Sequence, residues 1–207
     1  MAIIIKYADT PQEKDALYRL RHQVFVEEEG YMAPTADGKI QDRFDDYATT
    51  VNIIAVDNGR VIGGVRFTQA NPLGMPPDEF FDSKSLALGA SAQLGSGGQF
   101  CLLRAYRGSR LAIYLLGMAH HWSRSQGLSH ILCAVNPEIQ HLLGKIGYRS
   151  VGAEQYDAEK ALAFVPMCLD LRDLCSSQHR FVKQQRGEVF HVPMSRSETQ
   201  HHFRKAA

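Results

Sequence analysis

Residues 100–116 read Phe-Cys-Leu-Leu-Arg-Ala-Tyr-Arg-Gly-Ser-Arg-Leu-Ala-Ile-Tyr-Leu-Leu, an apolar strand that passes through a basic glycine turn into a helix. The strand signal covers residues 99–103, and the turn is Arg107-Gly108-Ser109-Arg110. Over residues 111–126, Ala112, Leu115, Leu116 and Ala119 recur at the i, i+3, i+4, i+7 spacing of one apolar helix face. Such a junction leaves backbone N–H groups without intrahelical partners and places the positive end of the helix at the turn. Small residues there let a phosphate approach the main chain, and Arg107 and Arg110 add charge. A plain tight turn uses the same residues, so the surrounding chain has to decide.

Working outward, residues 131–135 form a strand pattern, and Asn136-Pro137 opens a short helix that closes at residues 144–147. Strands follow at 148–151 and 161–171. Pro166 cannot donate to a ladder, which predicts an edge position or a bulge for the last strand. Upstream, the apolar runs 51–56 and 61–67 flank Asp57-Asn58-Gly59-Arg60, a hairpin signature. Residues 3–7 read as a first strand. Thr10-Pro11 with Glu13 starts a helix whose apolar face carries Leu17, Leu20 and Val24 and which ends at Glu27-Glu28-Glu29-Gly30. Residues 31–47 read as loop or short helical turns, and 72–95 as a surface excursion. This order predicts a mixed α/β fold with one central sheet and helices on both faces.

The chain has 207 residues, of which 44% are hydrophobic and 22% charged, with a formal net charge of +1. That suits one globular domain, taken as residues 1–171, and excludes a disordered or fibrous chain. Near-neutral charge argues against nucleic acid as a partner, and no apolar run is long enough for a membrane span. The start, Met1 to Tyr7, lacks the basic flank and long apolar stretch of a secretory signal. Residues 172–207 read as a C-terminal extension, a solvated or edge-covering arm carrying Arg180, Lys183, Arg186, Arg196, Arg204 and Lys205. Cys101, Cys133, Cys168 and Cys175 are widely spaced, and the first three sit in apolar runs, which fits core thiols in a reducing cytoplasm. The adjacent pairs His120-His121 and His201-His202 do not share a helix face as metal ligands would, so no metal site is expected.

The stretch 100–116, with Cys-Ala-Val-Asn-Pro-Glu-Ile at 133–139 and Lys-Ile-Gly-Tyr-Arg-Ser-Val-Gly at 145–152, resembles the GNAT acyltransferase superfamily. Arg107 and Gly108 fall on expected positions of its pyrophosphate motif, and Ala112 sits where the family accepts Gly or Ala. The resemblance implies a mixed, mostly antiparallel central sheet splayed in the middle, with pantetheine lying in the gap. It assigns donor binding to Leu102, Leu103, Arg107, Gly108, Ser109, Arg110, Leu111, Ala112 and Asn136. The N–H groups of Leu102 and Leu103 would hold the pantetheine and polarise the thioester carbonyl, which becomes an oxyanion under attack. Two positions depart from the motif. Arg110 replaces the second loop glycine, which is strained if that residue needs a positive φ, although its guanidinium could reach a phosphate instead. Leu143 stands where many members place the tyrosine that acts as general acid; Tyr148 and His141 are near but not at that position. The catalytic residues stay unassigned.

Arg21-His-Gln-Val-Phe25, Asp42-Arg-Phe-Asp45 and Gly63-Gly-Val-Arg66 resemble the N-terminal pattern of autoinducer (acyl-homoserine-lactone) synthases and N-acyl amino acid synthases. Arg21, Asp42, Asp45 and Arg66 read either as a buried ion-pair frame or, with Phe25, as the binding site of a polar amine acceptor. The Glu-x-Ser-Arg-Phe signature of the lactone synthases is replaced by Ser96-Gly-Gly-Gln-Phe100, so their acidic base is missing, and Tyr31 stands in place of a tryptophan. Cys101 and Cys133 read as core residues. One of Glu27, Glu28 and Glu29 could act as a base, with a solvated acidic face as the plainer reading.

The implied activity is acyl transfer to a primary amine of a small molecule such as an amino acid, by direct attack. The donor is acyl-CoA, or the acyl-phosphopantetheine of an acyl carrier protein. Acetyl-CoA-dependent N-acetylation and a non-catalytic acyl-CoA sensor are the alternatives.

Overall fold

Thr10 caps the first helix, α1 (Pro11–His22): its hydroxyl accepts the Glu13 N–H at 3.2 Å, and the Glu13 carboxylate accepts the Thr10 N–H at 3.2 Å. Pro11 occupies the first turn, where a missing N–H costs nothing, and a cap of this kind contributes about 1 kcal/mol. α-Helical bonding stops at His22. The pattern expected to run on to the acidic triplet widens instead into a π-helical turn, Gln23–Glu28, closed by the Glu29 N–H on the Val24 carbonyl at 3.1 Å.

The computed structural model describes residues 2–158, 162–173 and 189–193. Cys175, His201-His202 and the basic residues from Arg180 to Lys205 lie outside them. The strands are β1 (Ala2–Tyr7), β2 (Thr50–Asp57), β3 (Arg60–Gln69), β4 (Leu94–Leu102), β5 (His130–Val135), β6 (Arg149–Ser150), β7 (Gln155–Asp157), β8 (Leu162–Asp170) and β9 (Val189–Pro193). They lie in the order β6-β8-β5-β4-β3-β2-β1-β9, with β7 also on β8. Every pairing is antiparallel except β4 with β5, which is parallel. The hairpin expected at Asn58-Gly59 forms, with φ of 49° and 79° at the two turn residues, the geometry of a type I′ turn.

Helices cover both faces. A Cβ on Gly63 would lie 2.4 Å from Leu102 and 3.3 Å from Leu115 of α2 (Leu111–Ser125), while one on Gly64 would lie 2.4 Å from Leu17 of α1. Only glycines let β3 pass this closely between the two layers. Leu17, Ile53, Ile54, Leu115, Met118 and Ile131 are fully buried around them. Each such side chain contributes roughly 1.5–3 kcal/mol.

Two expectations need correction, and one open alternative is decided for part of the C-terminal extension. Pro166 is not on an edge strand: β8 pairs with β5 on one side and with β6 and β7 on the other. Its missing N–H falls in the break between those two short strands, where its carbonyl takes the Val151 N–H at 3.0 Å and Gly152 passes against its ring. The excursion at 72–95 contributes two short 3-10 turns, and its last residues belong to β4, which starts at Leu94 rather than residue 99. Within the extension 172–207, Val189–Pro193 pairs with β1 and covers that edge.

The sheet is splayed as expected. β4 and β5 are paired only at Leu94–His130, Gly95–Ile131 and Ser96–Leu132, and beyond these the two strands part. β4 also carries one residue more than β3 between the pairs Gly98–Arg66 and Cys101–Gly64. Gln99, inside this bulge, has a φ of 52°.

Candidate active site

The open side of the fork meets the turn that leads into α2. Gly108 supplies the reversal with a φ of 74°, and Arg110 is αR with a φ of −70°. The strain considered for an arginine at the second loop position is therefore absent, because the positive φ falls on the glycine two residues earlier. Ser109 closes the turn: its Oγ donates to the Tyr106 carbonyl at 2.7 Å and accepts the Leu111 N–H at 3.3 Å. Among the described residues, nothing accepts the N–H groups of Gly108, Ser109, Arg110 or Ala112. The exposed Arg110 guanidinium lies 5.8 Å from the Tyr114 ring centroid. Four free amides and one exposed cation stand at the head of a 15-residue helix, the kind of group that attracts negative charge.

Other members of the expected donor set are committed elsewhere. The Leu103 N–H donates to the Ile62 carbonyl at 3.0 Å, so it points into the sheet. By strand alternation the Leu102 amide points the other way, into the fork, leaving one amide of the expected pair to face a thioester. Leu111 gives its N–H to Ser109. Asn136 spends its side chain on capping α3 (Pro137–Lys145), with its Oδ1 accepting the Glu138 N–H at 2.9 Å.

Each guanidinium nitrogen of Arg107 has a protein acceptor. Its Nε donates to the Leu102 carbonyl at 3.0 Å, its Nη2 to Glu28 at 2.6 Å, and its Nη1 to Glu29. Glu28 also accepts the Arg104 N–H at 3.1 Å, and its carbonyl accepts the Arg104 guanidinium at 3.0 Å. The chain then reverses at Gly30, and the Phe25 carbonyl takes the N–H groups of Tyr31 at 2.7 Å and Met32 at 3.2 Å. Half-buried Phe25 packs on the core, while Tyr31 and Met32 are exposed. Burial, with the charges of Glu138 and Glu29 behind it, raises the Tyr31 pKa. Tyr31 thus lies among groups from α3, from the end of the π-turn and from the turn before α2.

On the α1 face, Arg21, Asp45, Asn52 and Arg66 form a buried cluster. Arg21 donates to both Asp45 oxygens at 3.0 and 2.8 Å and to Asn52 at 2.7 Å. Arg66 donates to Asp45 at 3.0 Å and to Asp42 at 2.6 Å. Burial alone would raise the Asp45 pKa, but the Arg21 and Arg66 charges outweigh it and the net shift is downward. Asp42 also caps a 3-10 turn at Arg43–Asp46. The side chains of Arg21, Arg66 and Asp45 are at most 2% exposed, whereas that of Asp42 is 37% exposed. Of the two readings these residues allowed, the frame describes their contacts, and Asp42 alone offers it an outward surface.

Tyr148 and His141 are the two groups weighed for the missing general acid. Tyr148 is buried and lies 3.1 Å from His120, whose pKa burial lowers to about 4. His141 is exposed on α3. Cys101 and Cys133 are buried free thiols; burial raises Cys101 to about 12 and Cys133 further still, so neither is a ready nucleophile. Among the described residues, no group of three or more His, Cys, Asp or Glu is placed to hold a metal, and no helix is long and apolar enough to cross a membrane. Sequence reasoning missed the bulge at Gln99 and the Arg107–Glu28–Glu29 contacts. The Gly97-Gly98 pair just before Gln99 hints at the first; a separation of 79 residues hides the second.

Comparison with known proteins decides the family. The family model of the N-acyl amino acid synthase FeeM matches residues 16–170, about three quarters of the chain. The chain belongs to the FeeM family of N-acyl amino acid synthases. No protein of curated function matches the sequence. Among solved structures, FeeM itself, an N-acyl amino acid synthase from uncultured soil microbes, shares 15% identity over 83% of this chain and 91% of its own, with a TM-score of 0.72. The CoA-dependent acyl-homoserine lactone synthase BjaI, solved with SAM and isopentyl-CoA, shares 19% identity over 97% and 98%, with a TM-score of 0.67. An acyl-CoA N-acyltransferase from Pseudomonas aeruginosa shares 20% over 82% and 99%, with a TM-score of 0.59. At these identities the neighbours establish the GNAT-like fold. With the family match, the chain is an N-acyltransferase.

Proposed function

We propose that the protein moves an acyl group from a pantetheine thioester to the primary amine of a small molecule such as an amino acid, by direct attack within a ternary complex. The observation that carries this reading is the fork between β4 and β5, opening beside the unpartnered amides of Gly108, Ser109, Arg110 and Ala112. Those amides suit the phosphorylated end of CoA or of a carrier-protein arm, with Arg110 as the available side-chain cation. The extended pantetheine lies along the unpaired edge of β4, and the Leu102 N–H stabilises the oxyanion. The amine enters from the side of Phe25, Tyr31 and Asp42. Its nitrogen bonds to the thioester carbon, the carbon–sulfur bond breaks, and the proton released by the ammonium ends on the thiolate. Holding the two reactants together supplies most of the acceleration.

Purified full-length protein, offered acyl-CoAs of increasing chain length and a panel of amino acids, should release free thiol and form the matching N-acyl product, read by mass spectrometry. An acylated carrier protein tested beside them distinguishes the donor. Tight donor binding with no N-acyl product from any amine would overturn the reading in favour of a sensor. Turnover confined to acetyl-CoA would replace it with N-acetylation.

A further inference from the structure

We infer that Arg107 is a positioning residue: a strut that fixes the Phe25–Tyr31 segment over the fork, and not a ligand of the donor's phosphates. The inference rests on the proposed reading of the fork as the donor site. Each of the three guanidinium nitrogens of Arg107 has a protein acceptor: the Leu102 carbonyl at 3.0 Å, Glu28 at 2.6 Å, and Glu29. Only the second N–H of each Nη is left over, beside two carboxylates whose charge repels a phosphate, whereas Arg110 and the four free amides carry no such neighbours.

The strut joins three parts of the molecule. Its Nε holds the end of β4, at the residue whose amide faces the fork. Its two Nη groups hold the last residues before the Gly30 reversal. Arg104 adds two more bonds to Glu28, so five hydrogen bonds cross from 102–107 to 28–29 or close on the strand end itself. The π-helical turn brings consecutive Glu28 and Glu29 onto this patch, and their fixed position sets that of Tyr31. Arginine suits the role because its planar fork can hold three acceptors in fixed directions; lysine offers one point charge. The acidic triplet that ends the first helix is therefore not simply a solvated face: Glu28 and Glu29 brace the amine side of the site against the thioester side.

The test uses the full chain with Arg107→Gln, the pair Glu28→Gln/Glu29→Gln, and all three together, with Arg107→Lys as the milder variant. Either lesion should lower the melting temperature by about 3 °C, and the combination by less than the sum, since both remove the Arg107–Glu28 and Arg107–Glu29 pairs. Amide exchange at Arg104, Tyr31 and Met32 should quicken tenfold or more in each. With CoA as the probe, the Kd should stay within threefold of wild type, while kcat/KM for the amine falls at least tenfold, with partial recovery in Arg107→Lys. Additive stability losses would overturn the inference, as would unchanged amine kinetics. So would a more than tenfold weaker CoA Kd in Arg107→Gln that the glutamine pair does not share. If wild-type protein neither binds CoA nor acylates an amine, the proposed function falls, while the stability cycle and the exchange still judge the strut.

Discussion

The Arg21–Asp45–Arg66 cluster and the Arg107–Glu28–Glu29 cluster use the same chemistry, guanidinium on carboxylate, in different surroundings. In the first, the central arginine and aspartate are sealed from water, and even so the Nε atoms of Arg21 and Arg66 find no acceptor among the described residues. In the second, Arg107 is 35% exposed, and its two glutamates keep 16% and 24% of their side-chain surface. Burial makes the first a frame, because a charge that loses its partner there has no water to fall back on. Partial exposure lets water screen the second, so its ion pairs are worth less to stability while still tying two segments together.

The sharpest way to break this comparison is Asp45→Asn. It leaves two buried cations short of their shared anion, and the expected loss is about 3–5 kcal/mol, or roughly 10 °C in melting temperature. A loss no larger than that of Glu28→Gln would erase the distinction.

The pH dependence sharpens it next. Burial holds His120 neutral with a pKa near 4 against 6.5 when unfolded, so the unfolded chain binds a proton that the native state refuses. Stability is then fully present above pH 6.5 and is lost as pH falls towards 4; His130, also lowered by burial, adds to the same slope. Melting temperatures should fall by several degrees across that window, and His120→Gln should flatten much of the slope. The Asp45 shift is downward too, so its cluster should hold until the pH falls below the ordinary carboxylate value of 3.8.

A smaller effect is expected from Gly108→Ala. No neighbouring atom lies within 4 Å of the added Cβ, so its cost is the strain of a φ of 74°, about 1 kcal/mol, read as a fall of roughly 3 °C. Because the same residue shapes the free amides, donor affinity should weaken as well. The smallest effect is the response to salt. In 1 M salt the Debye length shrinks to about 3 Å, so the loss caused by Glu28→Gln should shrink while that of Asp45→Asn persists. Equal salt responses would show the two clusters to be alike.

Much of the fold was legible because its signals are local. Thr10-Pro11 with Glu13, Asn58-Gly59, and the strand–turn–helix at 100–116 each set their own backbone within a few residues. The boundaries that drifted depended on distant partners: β4 begins at Leu94 because β5 is there to pair with it, and Pro166 sits inside the sheet because β6 and β7 leave a gap at its ring nitrogen. At the site, the turn of free amides could be read from residue types. The fates of individual groups could not: Leu103, Leu111 and Arg107 each donate to a protein acceptor, and Asn136 accepts the Glu138 N–H.

By itself, then, the order of residues determined the elements, the layered α/β plan and the glycine turn that opens the second helix, since each follows from periodicity, capping and turn chemistry over short stretches. Tertiary structure alone decided which charges are sealed and which are poised. Whether an arginine is a frame member, a strut or a free cation depends on the water it loses and on the carboxylates that chain segments tens of residues away bring within reach.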